Sequence, residues 1–314
     1  MINRRRFATL ATATAATIVA DRTVYADDVV GDQAEDHVIG SNVYPMKTFA
    51  DRRGDDDFQI DGPEPFETLS RAGVTAAEPL IDRPDQTEAV ISYARKRNLA
   101  LPTVYVNSVL HDEARVDSSV ADVIEIAEAF AAAGTKILVT NPSPIRWGGD
   151  EDKSDRQLSI QREAIDHLGT RLKRIGVTLA YHNHDAELRR GGREYHHMLT
   201  ATDGDVVKYC LDAHWVYRGC GNSVLAVMDA VDHYADRVVE MHLRQSVGGT
   251  WTEAFAVEGD LDYRRIRDVL DVRGIDPAMV LEQAVESETP VTLDVVEATR
   301  RGRQAVANWV GSGG

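Results

Sequence analysis

Eight short runs rich in β-branched and other apolar residues punctuate this chain, at Val38–Tyr44, Val74–Glu78, Ala100–Val106, Thr135–Thr140, Val177–His182, Val206–Asp212, Arg237–Leu243 and Ala278–Glu282. Stretches with helical apolar spacing lie between them. Val120–Ala133 is an Ala/Ile/Glu amphipathic segment, and Ser154–Ile175 repeats Leu158, Ile165, Leu168 and Leu172 at helical intervals. Four glycines, Gly73, Gly134, Gly176 and Gly274, fall where a helix hands over to the next run, the usual place for a helix C-terminal cap. Strands alternating with helices build a parallel sheet, and eight such units in about 270 residues predict a closed (β/α)8 barrel in a single domain. An open dinucleotide-binding sheet is the alternative, but no G-x-G-x-x-G follows the first strand.

The first 26 residues are set apart from that pattern. Arg4, Arg5 and Arg6 precede a mildly apolar Ala/Thr-rich run that ends in Val24-Tyr25-Ala26, small residues suited to signal cleavage. The segment resembles a twin-arginine export signal, so the expectation is an exported protein, periplasmic or extracellular, with no stable membrane insertion once the signal is removed. Residues 27–36 (DDVVGDQAED) read as an acidic connector, and 37–314 as the barrel. The 314-residue chain carries a formal charge of −16, and loss of the leader's four arginines and one aspartate takes it to −19. Such a surface repels phosphate backbones, which argues against a nucleic-acid partner. The two cysteines, Cys210 and Cys220, are ten positions apart; Cys210 lies in an apolar run and is expected to be a small core residue rather than half of a disulfide.

Chemistry concentrates at the ends of the apolar runs. In Thr178–Leu188 (TLAYHNHDAEL) strand alternation puts His182 and His184 on one face and Tyr181 and Asn183 on the other. Asp212, His242 and Glu282 close three later runs. The C-terminal strand ends of a (β/α)8 barrel converge on one mouth, so residues far apart in the chain meet there. On that reasoning Glu78, Asn107, His111, Asn141, His182, His184, Asp212, His214, His242 and Glu282 all line the mouth. Two or three imidazoles with two carboxylates make a mixed N/O ligand set for one divalent ion such as Mn, Co, Zn, Fe or Mg, better suited to these than to Ca. Burying Asp212 and Glu282 unpaired would be costly, which favours ligation over a purely structural role.

Five motifs in combination carry a resemblance: G-V-T-L-A-Y-H-N-H-D-A-E-L at 176–188, C-L-D-A-H-W-V at 210–216, V-V-E-M-H-L-R-Q at 238–245, V-E-G-D-L-D-Y at 257–263 and M-V-L-E-Q at 279–283. From about His37 onward the chain resembles the sugar-phosphate isomerase/epimerase superfamily, the xylose-isomerase-like barrels that include ketose 3-epimerases, inosose dehydratase and endonuclease-IV-type enzymes. In the ketose epimerases of that group a metal is held by Glu, Asp, His and Glu from the fifth to eighth strands. The resemblance therefore implies Asp212, His242 and Glu282 as ligands, with His182 standing where the first Glu would be. A neutral imidazole still binds a metal and moves a proton near neutral pH, but the departure puts a symmetric two-carboxylate epimerisation in doubt.

The expected activity is metal-dependent isomerisation or epimerisation of a small-molecule sugar or keto-sugar, with Glu282, His184 and His182 as the proton-handling groups. Substrate contacts are expected from Glu78, Asn107, Asn141, Arg146, His214, Trp215 and Arg244. Trp215 offers a flat face for sugar C–H groups, with rim packing the competing role. Two long connections, Asn141–Lys153 and Arg244–Gly259, bring Arg, Gln and Trp to the mouth as covering loops. Dehydration or lyase chemistry on a keto-sugar, keto-glycoside or inosose shares the first step and is the alternative. From other classes, a non-catalytic sugar-binding barrel would keep the tryptophans without the metal set, and a phosphodiesterase would need a basic face that the charge denies. The sequence leaves the oligomeric state, the metal and the substrate open.

Overall fold

The computed structural model describes residues 39–311; the leader and acidic connector expected at 1–26 and 27–36 lie outside the described residues. Strands β1 (Ile39–Asn42), β2 (Ala76–Glu78), β3 (Leu80–Ile81), β4 (Thr103–Ser108), β5 (Ile137–Pro142), β6 (Thr178–His182), β7 (Val207–Asp212), β8 (Val238–Leu243) and β11 (Ala278–Leu281) form one parallel sheet. A small antiparallel hairpin, β9 (Ser246–Val247) and β10 (Thr250–Trp251), stands outside it. β2 and β3 are two halves of a single second strand broken at Pro79, whose ring cannot donate to the ladder. The first half pairs with β1 and bridges Ala100, the second pairs with β4, and the ring closes as a (β/α)8 barrel. Each of the eight apolar runs of the sequence overlaps one of these strands, β4 and β5 extending two residues past theirs.

The helices are α1 (Tyr44–Arg52), α2 (Glu64–Arg71), α3 (Thr87–Lys96), α4 (Val116–Ala132), α5 (Asp155–Arg174), α6 (Asp185–Ala201), α7 (Ala213–Gly219), α8 (Val224–Tyr234), α9 (Tyr263–Val272) and α10 (Val295–Gly311). The periodic positions Leu158, Ile165, Leu168 and Leu172 of α5 are all buried, and Ser154 caps its N-terminus by accepting from Gln157 N. The four expected capping glycines all have positive φ, between 70° and 104°. The main core fills the space between barrel and helices, where Phe66, Phe130, Leu172 and Tyr209 are among its members; a smaller cluster of Tyr105, Val139, Ala180 and Cys210 fills the barrel interior. Cys210 and Cys220 are both free thiols, as their setting implied. Among the described residues no helix is long and apolar enough to cross a membrane.

Candidate active site

Strand alternation places the polar ends of β6, β7, β8 and β11 inside the barrel mouth. His182, Asp212 and His242 have no exposed surface and Glu282 retains 6%. One donor atom from each of the four lies within 4.8 Å of the others. His242 Nδ1 is 2.7 Å from Glu282 Oε2, and His182 Nε2 is 3.8 Å from Asp212 Oδ2. His182 Nε2 makes no hydrogen bond, and Asp212 Oδ2 is met by Arg244 Nε at 2.9 Å without hydrogen-bond alignment. Buried polar atoms are ordinarily satisfied, so orphaned donor atoms facing one point mark a place for a cation. Two imidazole nitrogens and two carboxylates fit a borderline divalent ion.

Arg244 is the cationic partner of that group. Its guanidinium, 1% exposed, pairs with both Asp212 and Glu282 and lies 5.1 Å from the ring centroids of Trp215 and Trp251. Burial alone would raise the Glu282 carboxyl; Arg244 and His242 overcome it and hold the group down, to about 2. Asp212 goes the other way, raised by burial that Arg244 only partly offsets. For His242, burial opposes charging, but Cys210, Glu78 and Glu282 around it outweigh burial and hold its pKa well above the ordinary value. His182 is lowered well below its ordinary value, by burial and by His242. His184, the N-cap of α6, is partly exposed; its ring stands 4.8 Å from that of His182, 5.2 Å from Trp147 and 5.5 Å from Trp215.

The remaining predicted contacts spread out from this centre. Glu78 is fully buried behind His242, accepting from Asn42 Nδ2 at 2.8 Å. Asn141, two residues beyond the interior Val139 on β5, donates to His182 O of β6 and Glu187 Oε1 of α6, and its own Oδ1 has no hydrogen-bond partner. Asn107 donates to Asp82 at the rim, and Arg146 is exposed on the loop after β5. His214 is wedged under the hairpin, its Nδ1 accepting from Trp251 Nε1 at 3.3 Å and its Nε2 2.8 Å from Ser246 Oγ. Burial lowers its pKa to about 3, so it is a neutral strut for the loop. Glu240, which sequence reasoning passed over, is fully buried with Oε1 3.2 Å from His242 Nε2. Its position two residues before His242 in a strand was the available signal, since i and i−2 share a face.

Both long connections reach the mouth. The loop after β5 carries Trp147, 53% exposed, over His184. It is strapped to α6 by Arg189 and Arg190, both bonded to Asp152 at 2.8 Å, and by Arg189 Nη1 on Gly149 O. α6 breaks there: Arg190, Gly191 and Gly192 all have positive φ, which aims the two arginines at the loop. The loop after β8 folds as the hairpin, pinned by Asp260, which accepts from Gly248 N, Gly249 N and Ser246 Oγ.

The model of a known family, the xylose isomerase-like TIM barrel, matches residues 66–307. The chain belongs to that family. Among solved structures it is similar to a sugar phosphate isomerase/epimerase from Parabacteroides distasonis (TM-score 0.64, 16% identity, covering 90% of this chain and 97% of the other). It is also similar to apo 3-keto-D-glucoside 4-epimerase from E. coli (TM-score 0.59, 16% identity, 88% and 99% covered). A third is D-psicose 3-epimerase from Clostridium cellulolyticum, solved with D-tagatose (TM-score 0.61, 13% identity, 86% and 97% covered). At such identities the likeness is one of fold. No curated protein matches the sequence.

Proposed function

We propose that this barrel is a divalent-metal-dependent isomerase or epimerase of a sugar or keto-sugar, acting by proton removal next to a carbonyl through an enediolate. The observation that carries it is the gathering of His182, Asp212, His242 and Glu282 within 4.8 Å at the strand ends, with His182 Nε2 left unbonded. Solved barrels of the same fold named as ketose and keto-glucoside epimerases support the substrate class. A divalent ion held by the four residues would supply Lewis acidity, making the C–H beside a carbonyl more acidic and favouring negative charge on its oxygen.

The chain's own groups do the rest. Glu282 stays ionised and so is in the form that accepts a proton. Arg244 holds it there; its Nη1 has no partner in the structure and is free to donate to a substrate oxygen, which would loosen its hold on Glu282 and raise that carboxylate's basicity. His184 stands between Trp147 and Trp215 as the second proton carrier. The two rings offer apolar faces to sugar C–H groups and keep bulk water off. Export by the arginine-rich leader would put the reaction outside the cytoplasm, which favours an unphosphorylated sugar.

A β-elimination from the same carbanion is the second reading. It is favoured by the imidazole at the end of β6, which leaves Glu282 as the carboxylate best placed for proton transfer, since Asp212 is held by Trp215 N and Arg244. Incubation of the metal-loaded protein with keto-sugars in D2O tests both. Deuterium entering beside the carbonyl with retention of all oxygens supports isomerisation or epimerisation, and loss of a β-substituent supports elimination. No exchange with any keto-sugar, together with failure to bind a divalent ion, would overturn the proposal.

A further inference from the structure

Below the four-donor ring, alongside the small cluster of Tyr105, Val139 and Ala180, the barrel interior carries polar side chains where such barrels usually stack branched apolar ones. Glu78, Glu240, Asn42, Thr103 and Cys210 are there, none of them more than 1% exposed. Glu78 Oε2 lies 3.0 Å and Glu240 Oε1 3.2 Å from the same atom, His242 Nε2, while the other ring nitrogen faces Glu282. Glu78 is anchored independently by Asn42, and Glu240 Oε2 has no hydrogen-bond partner at all. Two fully buried carboxylates converging on one N–H cost too much to be filler. By contrast, the Nδ1 of His182 meets only a neutral hydroxyl, that of Tyr105, at 3.5 Å.

We propose that Glu240 and Glu78 are positioning residues: they hold the Nε2–H of His242 from below, so that Nδ1 is the nitrogen turned to the cation and becomes the stronger of the two imidazole donors. The inference rests on His242 being a ligand, as read above. A carboxylate behind a ligating histidine fixes its tautomer and ring orientation and increases its donor strength, and loss of such partners typically costs about 10–100-fold in metal affinity.

The test needs no substrate. Apo protein is titrated with Co2+ in a metal buffer, reading affinity, stoichiometry and the visible absorption spectrum, with far-UV circular dichroism to follow folding. Wild type should take up one ion per chain. Glu240→Leu should bind about 10–100-fold more weakly with an altered cobalt spectrum. Glu240→Gln, which keeps an acceptor oxygen, should recover most of the loss. A purely structural role would lower the melting temperature of Glu240→Leu yet leave affinity and spectrum of the folded protein unchanged, and that result overturns the proposal. Two ions in wild type with one lost in Glu240→Leu would also overturn it, making the carboxylates ligands themselves. Should Glu240→Leu not fold, 15N-histidine NMR of zinc-loaded wild type decides. A slowly exchanging Nε2–H resonance that disappears in His242→Asn supports the proposal, and metal on Nε2 of His242 overturns it. Failure of wild type to bind any ion removes the ligand reading first, and is thereby told apart from failure of this one.

Discussion

Arg244 is the positive charge that the chain itself brings to this site. The guanidinium neutralises Asp212 and Glu282 together inside a mouth that water hardly reaches. Arg244→Met is therefore expected to destabilise the apo protein by about 3–5 kcal/mol, because it leaves two buried carboxylates uncompensated. Part of that loss should return when a divalent ion is added, which urea denaturation with and without Mn2+ would show. Glu282→Gln should cost more in turnover than in metal affinity, measured by kcat beside metal titration, because an amide still ligates through oxygen but cannot take the proton. Equal losses in both would argue that Glu282 only ligates. The four residues that converge here were each legible in the sequence as polar groups closing apolar runs. Glu240 was passed over because it sits inside VVEMH rather than at its end; strand alternation gives it the face of His242, and the structure adds that it meets His242 Nε2 together with Glu78 of β2.

At the scale of elements, two glycines separate support of the barrel from support of the mouth. A Cβ on Gly169 of α5 would lie 2.4 Å from Val206 O at the entry to β7. Gly169→Ala should cost about 1–3 kcal/mol by overpacking while metal affinity stays as in wild type. A Cβ on Gly259 would lie 2.4 Å from Gln245 Cδ, and Gln245 is the residue that follows Arg244 and binds Ala256 O and Leu261 O. Gly259→Ala should accordingly lower turnover at a smaller loss of melting temperature, and turnover equal to wild type would show that the hairpin loop does not hold Arg244. The start of α6 carries a pH signature. Glu187, fully enclosed, is raised to about 7 by burial and by Glu194. An acid whose folded pKa lies above its unfolded one stabilises the fold at low pH and loses that contribution as pH climbs from about 5 through 7. Glu187→Gln should then gain melting temperature relative to wild type between pH 5 and 8, and a constant difference across that range would count against the shift. The break in α6 and the Asp152 strap escaped sequence reading, since nothing local in RRGGR tells which loop its arginines will reach.

For the molecule as a whole, a divalent ion held by the four residues would act as a ligand of the folded state. With free ion at about 100 times its dissociation constant the gain is about 2.7 kcal/mol, which for a barrel of this size raises the melting temperature by about 5 °C. Calorimetry with and without metal should show it, and the increment should vanish in His242→Ala while that variant remains folded. The architecture was readable from the chain because eight strand–helix alternations and four capping glycines are local patterns, each enforced by backbone sterics and the burial of one face. The polar strand ends were readable for the same reason. What tertiary structure alone decided is which of those groups share a point in space: Asn141 bonded to His182 O and Glu187, His214 under the hairpin, Glu78 and Glu240 beneath His242, Arg244 across two carboxylates. Barrel closure sets these neighbours through strand stagger and through contacts between residues up to 241 positions apart, and no window of sequence contains that information.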